Sequence, residues 1–266
     1  NEIAESSCKI ILVIDDLHII DSLQVHETLK FLIDHLPPCL HFVILTRDDP
    51  PLPLARFRAN NQMNELRASE LRFTSSHIIS FFNSIDGLKL SPEDIDILED
   101  RTEGWIVGMQ LAALSLKGRA DIIDLNKSFA GNNRYILDYL ITEVLDRQTD
   151  KIRDFLLQTS ILNQFTGELC DFLTGQNNSF EILDYLVKTN LFIVPLDDQG
   201  HWYRYHHLFA DLLRMNLSKN NKKEIKTLRL KASNWFEANN YPEEAIEYSL
   251  IAEDYQKAVQ LLTLNV

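Results

Sequence analysis

The spacing of apolar residues changes rhythm twice along this chain. Near the start, "KIILVIDDLH" (Lys9–His18) sets five consecutive apolar residues, Ile10 to Ile14, directly before the carboxylates Asp15 and Asp16. A continuous, β-branched run predicts a short strand, 9–14, buried on both faces as in a parallel sheet. Asp21 and Ser22 can cap a helix whose stripe is Leu23, Leu29, Leu32, Ile33 and Leu36, and Pro37–Pro38 stops it. "LHFVILTR" (Leu40–Arg47) predicts a second buried strand. Strand, helix and strand in so short a span make a parallel β-α-β unit. The carboxyl ends of such strands line the ligand crevice, so Asp15, Asp16 and Arg47 fall on one edge.

Beyond residue 75 the period becomes helical. Ser91, Pro92 and Asp94 form a capping box for a helix over 93–101 that carries Ile95 and Leu98. A helix over 105–116 carries Trp105, Met109, Leu111, Ala112 and Leu116. Another, over 133–147, carries Ile136, Leu137, Leu140, Ile141, Val144 and Leu145. From residue 150, helices precede "LFIVPL" and "HWYRYH", which flank a turn of Asp197, Asp198, Gln199 and Gly200. Helices followed by such a hairpin predict a winged helix.

The stretch from 214 to 231 holds seven Lys/Arg against one acid, Glu224, without interleaved aromatics; it reads as a solvated linker leading into a helix. The last segment has small-residue contacts at Ala232, Ala245, Ala252 and Ala258, and Tyr241 and Tyr255 recur before an Ala-Ile/Val pair. That is a tetratricopeptide-type pattern of one and a half units, too few to stand alone.

Composition narrows the function classes. Apolar residues make up 45% of the 266, enough for a sizeable core, and 8 glycines with 8 prolines favour helices over turns. A formal charge of −13 argues against nucleic-acid binding by the chain as a whole. Over 150–215, nine Asp/Glu face five Lys/Arg, so the winged helix repels phosphate backbones and reads as an internal clamp. Three scattered cysteines, Cys8, Cys39 and Cys170, have no metal-ligand spacing and suit a reducing, cytoplasmic compartment. There is no secretion signal and no apolar run of about 18 residues, so no membrane is expected.

The chemistry rests on few side chains. An acid pair ending a strand suits Mg²⁺ and water polarisation beside a nucleotide phosphate. Paired aspartates after a strand equally serve as helix caps or salt-bridge partners. Trp105 reads alone as a core residue, and His206 and His207 as polar residues starting a helix.

The order of segments resembles the regulatory ATPase core of the MalT-type members of the LuxR family of transcriptional activators, which belong to the signal-transduction ATPases with numerous domains. The resemblance runs through "ILVIDDLH", "LTRDDPPLPLARFRA", "RTEGW" (Arg101–Trp105), 135–175 and "LFIVPLDDQGHWYRYHHLFADLLR" (Leu191–Arg214). It implies that Asp15 is the Mg²⁺-associated acid and Asp16 the water-polarising one. It implies a sensor role for Arg47, contact of the Trp105 segment with the base, and a bond from His206, rather than His207, to the β-phosphate of ADP.

The implied fold class is multidomain and mostly α. Residues 1–74 would be the C-terminal half of a P-loop-type α/β nucleotide-binding domain, 75–148 a helical domain, 149–217 a winged helix and 218–266 the start of TPR-like repeats. The implied cofactors are ATP/ADP and Mg²⁺, in a slow regulatory ATPase. The implied partners are an inducer or partner protein on the repeats, self-association when ATP is bound, and DNA only through a C-terminal helix-turn-helix. No G-x-x-x-x-G-K-[ST] loop occurs in the sequence, and neither does that helix-turn-helix. Nucleotide chemistry is therefore expected of a longer parent with an upstream phosphate loop, and almost none of these residues alone. A Mg²⁺-dependent ATPase motor of another P-loop class and a nucleotide-free protein-binding scaffold are the alternatives.

Overall fold

The computed structural model describes residues 8–85, 90–116, 134–220 and 222–264. Two compact units organise them: the residues up to Arg67 with Lys188–Asn190, and Ala68–Val187 with those from Leu191 onward.

The first unit is the β-α-β element of the sequence reading. β1 (Ile10–Ile14) and β2 (Leu40–Ile44) pair in parallel, Ile10 opposite Leu40 and Ile14 opposite Ile44, across the crossover helix α1 (Leu23–Asp34). A short 3-10 turn, Leu17–Ile19, follows β1, and α2 (Leu54–Ala59) follows β2.

Burial departs from expectation. Ile11, Leu12 and Val13 are 65%, 42% and 55% exposed, although their continuous apolar run predicts a strand covered on both faces. The reason is area: among the described residues of this unit, only Leu17, Leu29, Leu40 and Phe57 are buried apolar side chains. Two strands and two helices are too few layers to cover the ribbon. Similarly, α1 turns Leu29 inward but leaves Leu23 exposed.

The second unit is helical and built on one continuous apolar core reaching from Ile78 to Leu261. It opens with α3 (Ser75–Asn83), α4 (Pro92–Thr102) and α5 (Ile106–Leu116). The capping box of α4 forms as the sequence predicts: Ser91 Oγ accepts from Asp94 N at 3.2 Å, and Asp94 Oδ2 accepts from Ser91 N at 2.9 Å. α5 is apolar nearly all round and accordingly buries Met109, Ala112, Ala113 and Leu116. α6 (Arg134–Tyr139) runs into a π-helical turn, Leu140–Leu145; residue 133 of the expected helix lies outside the described residues.

Next come α7 (Asp150–Thr159), α8 (Gly167–Thr174) and α9 (Ser179–Lys188), then the hairpin β3 (Ile193–Pro195) and β4 (Tyr203–Tyr205), with Ile193 opposite Tyr205. Its turn is held by Asp197, whose carboxylate accepts from the backbone of Gln199, His201 and Trp202, and Gly200 supplies the left-handed backbone at φ 66°. α10 (His207–Asn220), α11 (Lys222–Ala238), α12 (Pro242–Ile251) and α13 (Tyr255–Leu264) complete the unit.

The basic stretch after Arg214 is not a linker. It belongs to α10 and α11, because Leu217 and Leu228 turn into the core while Lys219, Lys223 and Lys226 stay exposed. Ala232, Ala245, Ala252 and Ala258 are buried, as the repeat pattern requires of small residues at helix contacts. Among the described residues no helix is long and apolar enough to cross a membrane.

Candidate functional site

In the first unit, the acids follow the carboxyl end of β1 directly, and Arg47 lies three residues past the end of β2. All three are exposed. Leu45 N donates to Ile14 O at 2.9 Å, continuing the ladder just beyond the named strands. Asp15 Oδ1 accepts from Asp16 N at 2.9 Å, which fixes its carboxylate against the turn. Asp16 has left-handed backbone, φ 53°, a conformation aspartate tolerates better than most residues. Its carboxylate lies 3.8 Å from His18 Nδ1.

Among the described residues no ion pair engages Asp15 or Arg47, and no cluster of three His, Cys, Asp or Glu forms a cage for a metal. Mg²⁺ needs no such cage, since one or two carboxylates with phosphate and water complete its shell. Asp15 and Asp16 fit that role.

In the second unit, the candidates lie where helical elements meet the hairpin. His206 joins β4 to α10 and is 5% exposed. Its Nε2 donates to the carbonyl oxygen of Thr102, the last residue of α4, at 2.9 Å. Its Nδ1 is buried with no hydrogen-bond partner among the described residues. Trp105 and Phe192 wall the imidazole, with ring centroids 6.2 Å and 5.6 Å away. The two walls meet edge to face at 5.0 Å, and Tyr139 packs on Trp105 at 5.6 Å.

Phe192 adopts φ 54°, a costly conformation for an aromatic residue, and its carbonyl accepts from His206 N at 2.8 Å. Gly108 makes room for the indole: a Cβ there would stand 2.7 Å from the Trp105 ring. The neighbouring His207 is half exposed.

Glu103 and Arg204 complete this cluster, and the sequence reading missed both. Glu103 Oε1 and Oε2 take a two-pronged bond from Arg204 at 2.7 and 2.9 Å, and Oε1 accepts from His207 N at 3.2 Å. Arg72 adds a contact at 3.5 Å. Burial by itself would raise this carboxyl, but the Arg204 hydrogen bonds, the nearby His206 ring and the His207 amide outweigh it and hold its pKa at about 2. Burial, above all, pushes the His206 imidazole below its usual value, against the pull of Glu103 and the Thr102 carbonyl. A second bridge, Arg101 to Asp211 at 3.2 Å, also joins α4 to α10.

Thus Trp105 and His206 share one aromatic cluster, and Asp15, Asp16 and Arg47 share the ends of β1 and β2. The sequence offers only Gly104 beside Glu103, a mark of a helix end that says nothing of the carboxylate's partners. The pair Glu103-Gly104 ends α4 with two consecutive positive φ values, 48° and 75°, and a Cβ on Gly104 would meet Phe73 O at 2.6 Å.

Comparison with known proteins bears on the same regions. Residues 141–225 match the MalT winged helix domain. The chain is 32% identical over 262 residues to the serine/threonine-protein kinase PknK of Mycobacterium tuberculosis, covering 98% of this chain and 24% of that protein. It is 35% identical over 255 residues to the HTH-type transcriptional regulator MalT of Yersinia enterocolitica, covering 95% and 28%. It is 36% identical over 245 residues to the MalT of Serratia proteamaculans, covering 91% and 27%. The chain thus spans about a quarter of the length of the curated relatives it matches. Among solved structures, it is similar to the signal transduction ATPase with numerous domains bearing a tetratricopeptide repeat sensor from Pyrococcus horikoshii. That match has a TM-score of 0.41 and 19% identity, covering 96% of this chain and 35% of that one.

Proposed function

As a MalT-like regulator segment carrying that family's winged-helix domain at residues 141–225, this chain is, we propose, the nucleotide-governed switch of a transcriptional regulator. In the full protein, ADP holds the resting state, and exchange for ATP releases it. The observation that carries this reading is the imidazole of His206, 5% exposed, with one ring nitrogen fixed by Thr102 and the other buried without a partner. A buried polar nitrogen left unpaired is costly, and a ligand phosphate that accepts from it once it carries a proton relieves that cost.

The roles follow from the chemistry of each group. Bound Mg²⁺ would neutralise the charge of the phosphates and order the attacking water. Asp15 would hold the ion and Asp16 would orient the water. Arg47 stabilises charge on the terminal phosphate, and Trp105 offers its face to the base. His206 couples occupancy of the site to the winged helix. The acidic surface of that winged helix supports a clamp rather than a DNA reader, so DNA contact falls to a helix-turn-helix outside these residues. The repeats from α11 onward receive an inducer or partner protein, and ATP favours self-association.

One feature of the comparisons supports a control element separable from its output. A kinase and a transcriptional regulator, by their names, both contain a stretch like this one. A ligand moves such a switch only by binding one state better than the other.

His206→Ala in the full protein is predicted to release ADP faster and raise basal transcriptional activity. Unchanged ADP occupancy contradicts the reading. A plain ATPase motor predicts rapid hydrolysis without inducer, and a scaffold predicts no nucleotide binding at all.

A further inference from the structure

The hydrogen-bond inventory around His206 constrains how it can hold a phosphate. Nε2 stands 2.9 Å from Thr102 O, and a carbonyl oxygen only accepts, so Nε2 carries a hydrogen. A neutral imidazole has one N–H. In the free site Nδ1 is therefore a bare lone pair, consistent with its lack of any donor. A phosphate oxygen in the deprotonated state is also an acceptor, and two acceptors cannot share a hydrogen bond. For Nδ1 to bind the phosphate, the ring must gain a second N–H. With the side chain 5% exposed, little room remains for a water to reverse the polarity.

We propose that a diphosphate bound at His206 is taken up together with one proton from solvent, and that Glu103 is the positioning counterion of the imidazolium so formed. The inference rests on the nucleotide reading above. The proton comes from water or buffer and adds to the Nδ1 lone pair. The ring then donates Nε2–H to Thr102 O and Nδ1–H to the phosphate, and no other bond changes.

The charges facing the ring agree. From the end of α4 comes the Glu103 carboxylate, which favours the added charge; from α10 comes His207, and from the segment before α3 comes Arg72, both opposing it. On β4, Arg204 neutralises Glu103 rather than the ring. In the free site burial, first of all, keeps the imidazole below its ordinary value of 6.5, so near neutrality it starts uncharged. Phosphate then raises its affinity for the proton.

The sign follows from linkage. ADP affinity is constant below the free-site pKa, weakens by up to tenfold per pH unit as pH rises towards the bound-site pKa, and levels off above it. The nucleotide's terminal phosphate titrates nearby, so a variant must serve as reference.

Calorimetry of ADP binding to the full protein at about pH 7.5, in two buffers of different ionisation enthalpy, counts the protons. The wild type is predicted to take up close to one proton more than His206→Gln, and Glu103→Gln to take up fewer than the wild type. As an arm independent of substitutions, the ¹⁵N shifts of the His206 ring should show one N–H in the free protein and two with ADP. Equal proton counts in wild type and His206→Gln, or an Nδ1 that stays bare with ADP bound, overturn the coupling and leave the nucleotide reading intact. A full protein that binds no ADP overturns both.

Discussion

Glu103 is held ionised against its own burial, with a folded-state pKa of about 2 against an ordinary 4.5. A depressed carboxyl contributes stability that is fully present above the unfolded value and is lost as pH falls through the folded one. The window here is therefore roughly pH 4.5 down to 2, and the contribution is about 3 kcal/mol. Glu103→Gln is predicted to remove most of that acid-dependent loss, as read by denaturant unfolding across this range. An unchanged acid profile contradicts it. The family resemblance, not patterning, marks His206 and Trp105 as candidates, and neither the resemblance nor the pattern points to Glu103. Its partners Arg72, Arg204 and His207 are 31, 101 and 104 residues distant, and no local rhythm carries such a pairing. The burial of His206 is invisible for the same reason, because it depends on walls contributed by Trp105 and Phe192.

At the scale of elements, the start and end of α4 are open to direct test. Ser91→Ala removes the acceptor of the Asp94 amide and should cost about 1 kcal/mol in thermal or chemical unfolding. Gly104→Ala should cost more, about 1–3 kcal/mol, because φ is 75° and the new Cβ would stand 2.6 Å from Phe73 O. Equal effects of the two would contradict the argument for Gly104. The capping box and the Gly200 turn were legible because each is complete within a few residues. β1 shows the converse. Its five apolar residues specify a strand correctly, but burial requires layers that a local run cannot supply. Over 214–231, the lysines hid the helical stripe that Leu217 and Leu228 complete in the core.

Across the whole molecule, burial is unevenly shared between the units. The extended core lies in the second, whereas the first buries four apolar side chains among its described residues. Residues 68–266 expressed alone are predicted to melt cooperatively by circular dichroism, and residues 1–67 alone to show no cooperative transition. A sharp melt of residues 1–67 contradicts that division. The likeness to MalT-type regulators was legible in the sequence, because motifs read in order need no knowledge of contacts. The central claim is that the buried histidine holds the diphosphate of a nucleotide bound by the full protein. The most direct test is the dissociation rate of ADP from the full protein in the wild type and His206→Ala. If the imidazole holds the diphosphate, the substitution speeds release by about tenfold or more. Release at the wild-type rate from His206→Ala would contradict the account.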